Sequence, residues 1–163
     1  MENIILVGMP ACGKSITGVV LAKTMRMNFV DTDLLIQERE QRPLQEIIDM
    51  EGISYFKDVE ETVLLELDVD NTVISTGGSA IYYPRAIEHL KKKGKLVYLK
   101  VSLNTVKQRL NNIRTRGVAM EKGDTIKDLY KRRVPLYETH ADIIIEADDL
   151  EVEETVEQIM KSV

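Results

Sequence analysis

Eight residues near the start of the chain have the types and spacing of a phosphate-binding loop. Residues 8–15 follow the pattern G-x-x-x-x-G-K-[ST]. An apolar run precedes them and a helical pattern begins at Lys14, so the loop is expected to join a buried strand to a helix. Backbone N–H groups in such a turn, with the positive end of the helix dipole, attract phosphate oxygens. The sequence therefore predicts a site for nucleotide phosphates.

The residues of this loop have different predicted roles. Lys14 is expected to reach the β- and γ-phosphates, and the Ser15 hydroxyl is expected to ligate Mg²⁺. Cys12 is interpreted as a small filler residue. The residues predicted to bind the nucleotide here are Gly8, Pro10, Ala11, Cys12, Gly13, Lys14, Ser15 and Ile16.

Two carboxylates, those of Asp31 and Asp33, lie at the end of the second predicted strand. Beside a nucleotide, one of them can hold Mg²⁺, directly or through water. The other can orient or deprotonate a substrate hydroxyl. The alternative is that Asp33 only caps the helix that follows. The nearby phosphate loop favours the functional interpretation.

A glycine pair, Gly77 and Gly78, follows the third predicted strand. Glycine permits a close approach of the backbone to a ligand, although an ordinary loop explains the pair equally well. A basic stretch at residues 109–124 carries Arg109, Arg114 and Arg116. Beside a phosphate site, such a stretch is typical of a mobile lid that brings positive charge to the transferring group. The alternative is a solvated basic loop.

Two adjacent arginines, Arg132 and Arg133, lie in a helical pattern that Pro135 interrupts. The proline is expected to kink the helix or to remove one hydrogen bond. One arginine is expected to be solvated. The other is expected to face the crevice and to bind a carboxylate or phosphate with its two-pronged guanidinium.

Apolar runs alternate with helical patterns along the chain, which predicts a parallel sheet with helices on both faces. The predicted strands are residues 3–7, 28–31, 71–76, 95–100 and 142–146. The predicted helices are residues 14–25, 33–39, 44–50, 53–68, 84–93, 104–112, 125–140 and 151–162. Ligands bind at the carboxyl ends of such strands, so the polar residues after the first three strands are expected to converge on one crevice.

Composition narrows the class of protein. The chain has 163 residues, which predicts a single domain spanning 1–163. Its net charge of −5 argues against general nucleic-acid binding. No apolar run is long enough for a membrane span. The single cysteine excludes an internal disulfide and suits a reducing compartment. We expect a cytoplasmic monomer that acts on a small molecule, with no nucleic-acid or membrane partner.

Taken together, these segments resemble the shikimate kinases, which are small phosphate-loop kinases of the nucleoside-monophosphate-kinase fold. The resemblance covers nearly the whole chain and depends on order and spacing. It rests on residues 8–15, 29–33, 56–60, 75–78 and 133–137, and on the arginine-bearing lid.

This resemblance implies an α/β fold in three layers, with a five-stranded parallel sheet in the order 2-3-1-4-5. Residues of about 33–60 would form a substrate-binding subdomain, and residues of about 112–124 a mobile lid. ATP with Mg²⁺ would phosphorylate the 3-hydroxyl of shikimate, giving shikimate 3-phosphate and ADP in aromatic amino-acid biosynthesis.

The resemblance also implies roles for individual residues. Asp31 would hold Mg²⁺ with Ser15, and Asp33 would bind the substrate hydroxyls and act as the base. Arg116 would contact the phosphates from the lid, together with Lys14 in the loop, and Arg109 would lie against adenine. The residues implied to bind the substrate are Asp33, Lys57, Gly77, Gly78 and Arg133.

The chain departs from the family pattern at three places on the acceptor side or in the lid. Lys57 stands where the family usually has an arginine that grips the substrate carboxylate. Lysine keeps the positive charge but cannot make the two-pronged contact. The loss of one charge-assisted hydrogen bond would weaken substrate binding by about 1.5–3 kcal/mol, or roughly tenfold to a hundredfold in affinity. The lid reads R-G-V-A at residues 116–119 in place of R-P-L-L, and Ser79 replaces a third glycine.

These departures leave two alternatives open. The first is a related small-molecule kinase that acts on a different hydroxy acid or sugar. The second is a nucleotide-dependent switch without an acceptor. A dinucleotide-binding dehydrogenase is disfavoured because the chain lacks G-x-G-x-x-G.

Overall fold

Five parallel strands form one sheet in the order β2-β3-β1-β4-β5. The computed structural model describes residues 1–112 and 118–163. The strands are β1 (Asn3–Val7), β2 (Asn28–Asp31), β3 (Thr72–Ser75), β4 (Gly94–Lys100) and β5 (Ile143–Glu146). This confirms the predicted sheet and its strand order.

Helices connect the strands, as parallel pairing requires. In the described ranges they are α1 (Lys14–Met25), α2 (Thr32–Glu40), α3 (Leu44–Glu51), α4 (Ile53–Glu66), α5 (Pro84–Lys91), α6 (Leu103–Asn112), α7 (Ile126–His140) and α8 (Val152–Ser162). A 3₁₀ turn at Ala80–Tyr82 was not predicted. Helix α4 ends two residues earlier than predicted because Leu67 adopts extended backbone. Helix α7 continues through Pro135, so the proline does not end it.

Two neighbouring strands in the middle of the sheet, β1 and β3, are buried along their whole length. Every residue of β1 and β3 is buried, so helices cover both faces of the sheet there. Helix α1 packs against β3 and α8, while α5 and α7 pack against β4. The main core lies between these layers and contains most of the buried aliphatic side chains.

A second, smaller core holds together the three helices that follow β2. We call it the small core; its buried members are Ile36, Leu44, Ile47, Phe56, Val59, Val63 and Ala119. These side chains come from α2, α3, α4 and the segment after residue 117. The small core therefore holds α2, α3 and α4 against one another.

The register brings three loops to the same edge of the sheet. Ser75, the last residue of β3, pairs with Leu6 in β1 and with Asp31 in β2. The loops after these strands therefore begin at the same level. No helix within 1–112 or 118–163 is long and apolar enough to cross a membrane.

The small core makes a prediction about stability. Ile47 is fully buried in it, whereas Met50, on the same helix, is 68% exposed. We expect Ile47→Ala to lower the free energy of unfolding by about 2–5 kcal/mol, because it removes buried methyl groups and leaves a cavity. Met50→Ala is the matched control and should change it by no more than about 0.5 kcal/mol. Urea unfolding followed by circular dichroism measures both. Equal values for the two variants would contradict the buried position of Ile47.

Candidate active site

A cleft of about 290 Å³ lies at the carboxyl edge of the sheet. It brings together residues that are far apart in the sequence. The predicted site residues that line it are Pro10, Ala11, Cys12, Gly13, Lys14, Ser15, Ile16, Asp33, Gly77, Gly78 and Arg133. The three strand ends that were expected to converge thus contribute to one cavity.

The loop after β1 ends at the start of α1. Gly13 precedes the helix with a φ of 95°, a left-handed conformation that glycine adopts without steric cost. No side chain caps this helix start in the described structure. The first N–H groups of α1 are therefore left for an external acceptor, and the helix dipole favours an anion there.

The ammonium group of Lys14 is buried within the loop, with the residue only 8% exposed. Its Nζ donates hydrogen bonds to the carbonyl oxygens of Gly8 at 2.7 Å and Met9 at 3.0 Å. It also contacts the Sγ of Cys12 at 3.6 Å. The loop therefore holds a positive charge in place beside the uncapped helix end.

A hydroxyl and a carboxylate oxygen meet next to the loop. The Oγ of Ser15 donates to Oδ2 of Asp31 at 3.1 Å. The other oxygen of Asp31 accepts from the backbone N–H of Asp33 at 2.9 Å, so Asp31, rather than Asp33, caps α2. Hard oxygen donors of this kind fit Mg²⁺, which binds few protein carboxylates and takes its other ligands from phosphates and water. Within residues 1–112 and 118–163, no group of three or more His, Cys, Asp or Glu side chains is arranged to hold a metal.

Two carboxylates approach each other beside Gly77. A Cβ atom at this position would lie 2.9 Å from Oδ1 of Asp33 and 2.7 Å from Oε2 of Glu60. Only a hydrogen atom fits there without displacing one of them. Burial raises the pKa of Asp33 to about 7; the negative charges of Glu60 and Asp31 add to the effect, and the charge of Lys14 opposes it. A carboxyl group with this pKa is suited to accept a proton near neutral pH.

Glu60 is a member of this site to which the sequence analysis gave no role. It is 1% exposed, and its Oε1 accepts hydrogen bonds from the Oγ of Ser79 and, at 2.8 Å, from the hydroxyl of Tyr83. Burial raises its pKa, while these two donors and the charge of Arg133 oppose the shift. The sequence did contain a signal for this role: Glu60 is an acidic residue one helical turn after Phe56, on the apolar face of α4.

Arg133 is the arginine of the pair that lines the cleft, and it is 1% exposed. Its Nη2 donates to the carbonyl oxygen of Ala119 at 2.9 Å. Its Nη1 lies 2.7 Å from the position that a Cβ atom of Gly78 would occupy. Arg132 is exposed and pairs with Asp124. A buried, oriented guanidinium in a polar cleft is suited to bind an anionic group of a ligand.

Lys57 does not line this cleft. It lies in a neighbouring groove, where its Nζ is 3.7 Å from Oε1 of Glu121. Both side chains are well exposed, at 37% and 60%. Of the residues predicted to bind substrate, Lys57 is thus the one that the structure leaves outside the cavity.

Arg109 lines a second cavity, of about 400 Å³, on the other side of the phosphate loop. Its Nη1 donates to the carbonyl oxygen of Ala11 at 2.9 Å, which ties α6 to the loop. Arg116 lies in residues 113–117, outside the described residues. The described end of the predicted lid contributes Val118 and Ala119 to the cleft.

Comparison with known proteins agrees with this arrangement. A family model described as shikimate kinase matches residues 10–163. A curated shikimate kinase from Sulfurihydrogenibium sp. is 37% identical over 164 residues, covering 100% of this chain and 98% of its own. One from Clostridium botulinum (strain Loch Maree / Type A3) is 40% identical, over 88% of this chain and 87% of its own.

Solved structures agree as well. A structure of shikimate kinase from Acinetobacter baumannii in complex with shikimate superimposes with a TM-score of 0.91 at 30% identity, covering 99% of this chain and 92% of that one. The match of fold, sequence and family model over nearly the whole length confirms the resemblance seen in the sequence. The chain belongs to the shikimate kinase family.

Proposed function

We propose that this chain transfers the γ-phosphoryl group of ATP to the 3-hydroxyl of shikimate, giving shikimate 3-phosphate and ADP. Family membership supports the reaction, and the related Acinetobacter baumannii enzyme was solved with shikimate. One observation carries the proposal: the phosphate loop, Asp33 and the buried Arg133 line the same cleft. A phosphate donor and an anionic hydroxylated acceptor can therefore meet there.

The nucleotide is proposed to bind along the loop. The backbone of residues 8–16 and the ammonium of Lys14 would hold the phosphates, and Arg109 would lie beside the base in the second cavity. Ser15 and Asp31 are the residues that would hold Mg²⁺, which would neutralise charge on the phosphates. Their contact at 3.1 Å supports this assignment.

The acceptor is proposed to bind on the opposite side of the cleft. Arg133 would take its carboxylate, and the backbone at Gly77 and Gly78 would contact its ring substituents. Asp33 would orient the 3-hydroxyl and receive its proton as the oxygen forms a bond to the γ-phosphorus and the bond from phosphorus to the bridging oxygen of ADP breaks.

Two segments are proposed to serve the acceptor side. Residues of about 33–60 would form the acceptor-binding subdomain, which the small core supports. Residues of about 112–124 would form a lid that excludes water and brings Arg116 to the phosphates. We propose that the enzyme works as a monomer.

The position of Lys57 favours one alternative, a kinase for a different hydroxy acid. Its ammonium is directed to Glu121 rather than into the cleft. A panel of hydroxy acids and sugars, tested under the same conditions as shikimate, separates this alternative from the main proposal.

The decisive experiment measures ADP release from ATP and Mg²⁺ with and without shikimate, by a coupled spectroscopic assay. We expect strong stimulation at sub-millimolar shikimate, with shikimate 3-phosphate as the product by mass spectrometry. Slow ATP hydrolysis that no acceptor stimulates would contradict the proposal and favour a nucleotide switch.

The role of Asp33 can be tested separately. Asp33→Asn should lower kcat by at least about a hundredfold, because the hydroxyl loses the group that orients it and accepts its proton. The Kd for ATP should stay within about threefold of the wild type, since the nucleotide contacts lie elsewhere. Asp49→Asn, at an exposed position of α3, is the matched control and should leave both unchanged. Loss of ATP affinity equal to the loss of turnover would show that this role is wrong.

The proton affinity of Asp33 can be measured directly in the protein free of nucleotide and metal. Its carboxyl carbon is expected to titrate with a midpoint of about 7 in a ¹³C NMR experiment. Glu60→Gln should move the midpoint down, because the substitution keeps an acceptor oxygen and removes one of the like charges that raise the pKa. Asp142 is an internal control: burial raises its pKa, but the hydrogen bonds from Leu96 and Lys91 outweigh this and lower it, so its pKa should stay below the ordinary value in both proteins. A midpoint for Asp33 near 4 would contradict the prediction.

A further inference from the structure

Tyr82 lies beside the cleft and has no role in the reaction described so far. It ends the 3₁₀ turn Ala80–Tyr82, which packs against α7. The side chain is half-buried and does not line the cleft. It contacts the two cations of the acceptor side, Arg133 and Lys57, which come from different helices.

The first contact is with Arg133. The Nε of Arg133 donates to the hydroxyl of Tyr82 at 3.3 Å, and its Cζ lies 5.3 Å from the centre of the tyrosine ring. A second nitrogen, Nη2, is held by the carbonyl oxygen of Ala119. These two bonds fix the plane of the guanidinium. Tyr82 thus supplies one of the contacts that set its direction.

The third nitrogen of the guanidinium is directed toward the cleft. Nη1 lies against Gly78, which lines the cavity together with Arg133. A guanidinium has five N–H donors, so a group held by protein acceptors on one side can still donate to a ligand on the other. An oxygen acceptor in the cleft, such as a ligand carboxylate, can therefore bind on the Nη1 side.

The second contact is with Lys57. Its Nζ lies 5.6 Å from the centre of the Tyr82 ring. Both cations are thus within the distance of roughly 6 Å at which an aromatic ring attracts a positive charge. The ion pair that holds Lys57 to Glu121 is solvent-exposed, and pairs of this kind contribute little. An anion bound at Arg133 can therefore compete with Glu121 for Lys57, with the ring keeping the ammonium near.

We infer that Tyr82 is a positioning residue for acceptor specificity: its hydroxyl orients Arg133, and its ring keeps Lys57 next to Arg133, so that the two cations together select an acceptor that carries a carboxylate. This inference rests on the proposed function for the identity of the acceptor. Tyr82 acts through the two cations and does not touch the reacting atoms.

The test compares the binding of shikimate with that of its uncharged methyl ester, by calorimetry in the presence of ADP and Mg²⁺. The ratio of the two Kd values measures selectivity for the carboxylate. Tyr82→Phe keeps the ring and its packing and removes the hydroxyl. We expect it to weaken shikimate binding by about threefold to tenfold and to leave ester binding unchanged.

A second variant and a control sharpen the comparison. Tyr82→Leu also removes the ring, and selectivity should fall further, by about tenfold or more relative to the wild type. Tyr55→Phe removes a tyrosine hydroxyl that is hydrogen-bonded to Glu40 at 2.6 Å on an exposed surface, and selectivity should not change. Thermal unfolding identifies any variant that is not folded, and if Tyr82→Leu fails this check, Tyr82→Phe decides.

The outcomes separate this inference from the proposed function. Unchanged selectivity in Tyr82→Phe, or an equal loss of acid and ester binding, would overturn the inference and assign Tyr82 a purely structural role. A wild-type protein that binds both ligands equally would overturn it as well. Selective shikimate binding that depends on Tyr82, without any shikimate-stimulated ADP release, would support the inference and refute the proposed function.

Discussion

The buried carboxylate of Glu60 holds the acceptor side of the cleft together. It extends from α4 and accepts hydrogen bonds from Ser79 and Tyr83, which both follow β3. A buried charge that lost these donors would cost several kcal/mol, so the helix and the loop are constrained to keep their relative position. Gly77 lies between this carboxylate and that of Asp33, where a larger side chain does not fit. The contacts of the Glu60 carboxylate therefore constrain both the direction of the Asp33 side chain and the shape of the cleft.

Much of the fold and part of the site could be predicted from the sequence, because the signals were local. Apolar runs identify the strands, and the phosphate loop is a contiguous motif that begins a helix. The contacts of Tyr82 and Tyr83 could not be predicted in this way. The hydrogen bond between Tyr82 and Arg133 joins residues 51 positions apart. It also depends on a 3₁₀ turn that hydrophobic periodicity does not predict. Residues 113–117, with the predicted lid arginine Arg116, lie outside the described part of the chain.

Lys57 illustrates a different limit of reasoning from the sequence. The family pattern predicts that Lys57 lies in the acceptor site, but its position around the axis of α4 places it in the neighbouring groove. Phe56 and Glu60 are four residues apart, so they share the face that lines the cleft. Lys57 follows Phe56 directly and is turned by about 100° around the helix axis. Its ammonium lies beside Glu121 in an exposed ion pair, and not in the cleft. The aromatic ring of Tyr82 is what connects this lysine to the rest of the site.

The division of the interior into two cores affects which parts of the molecule unfold locally. The nucleotide side rests on the main core, with fully buried strands beneath it, whereas α2 and α3 are anchored chiefly through the small core. Segments that bury fewer apolar side chains unfold locally at a lower free-energy cost than the sheet does. We therefore expect amide hydrogens of α2 and α3 to exchange with solvent before those of β1 and β3. A ligand that bridges the two cores is expected to slow this exchange, because it would stabilise the helices of the small core against local unfolding.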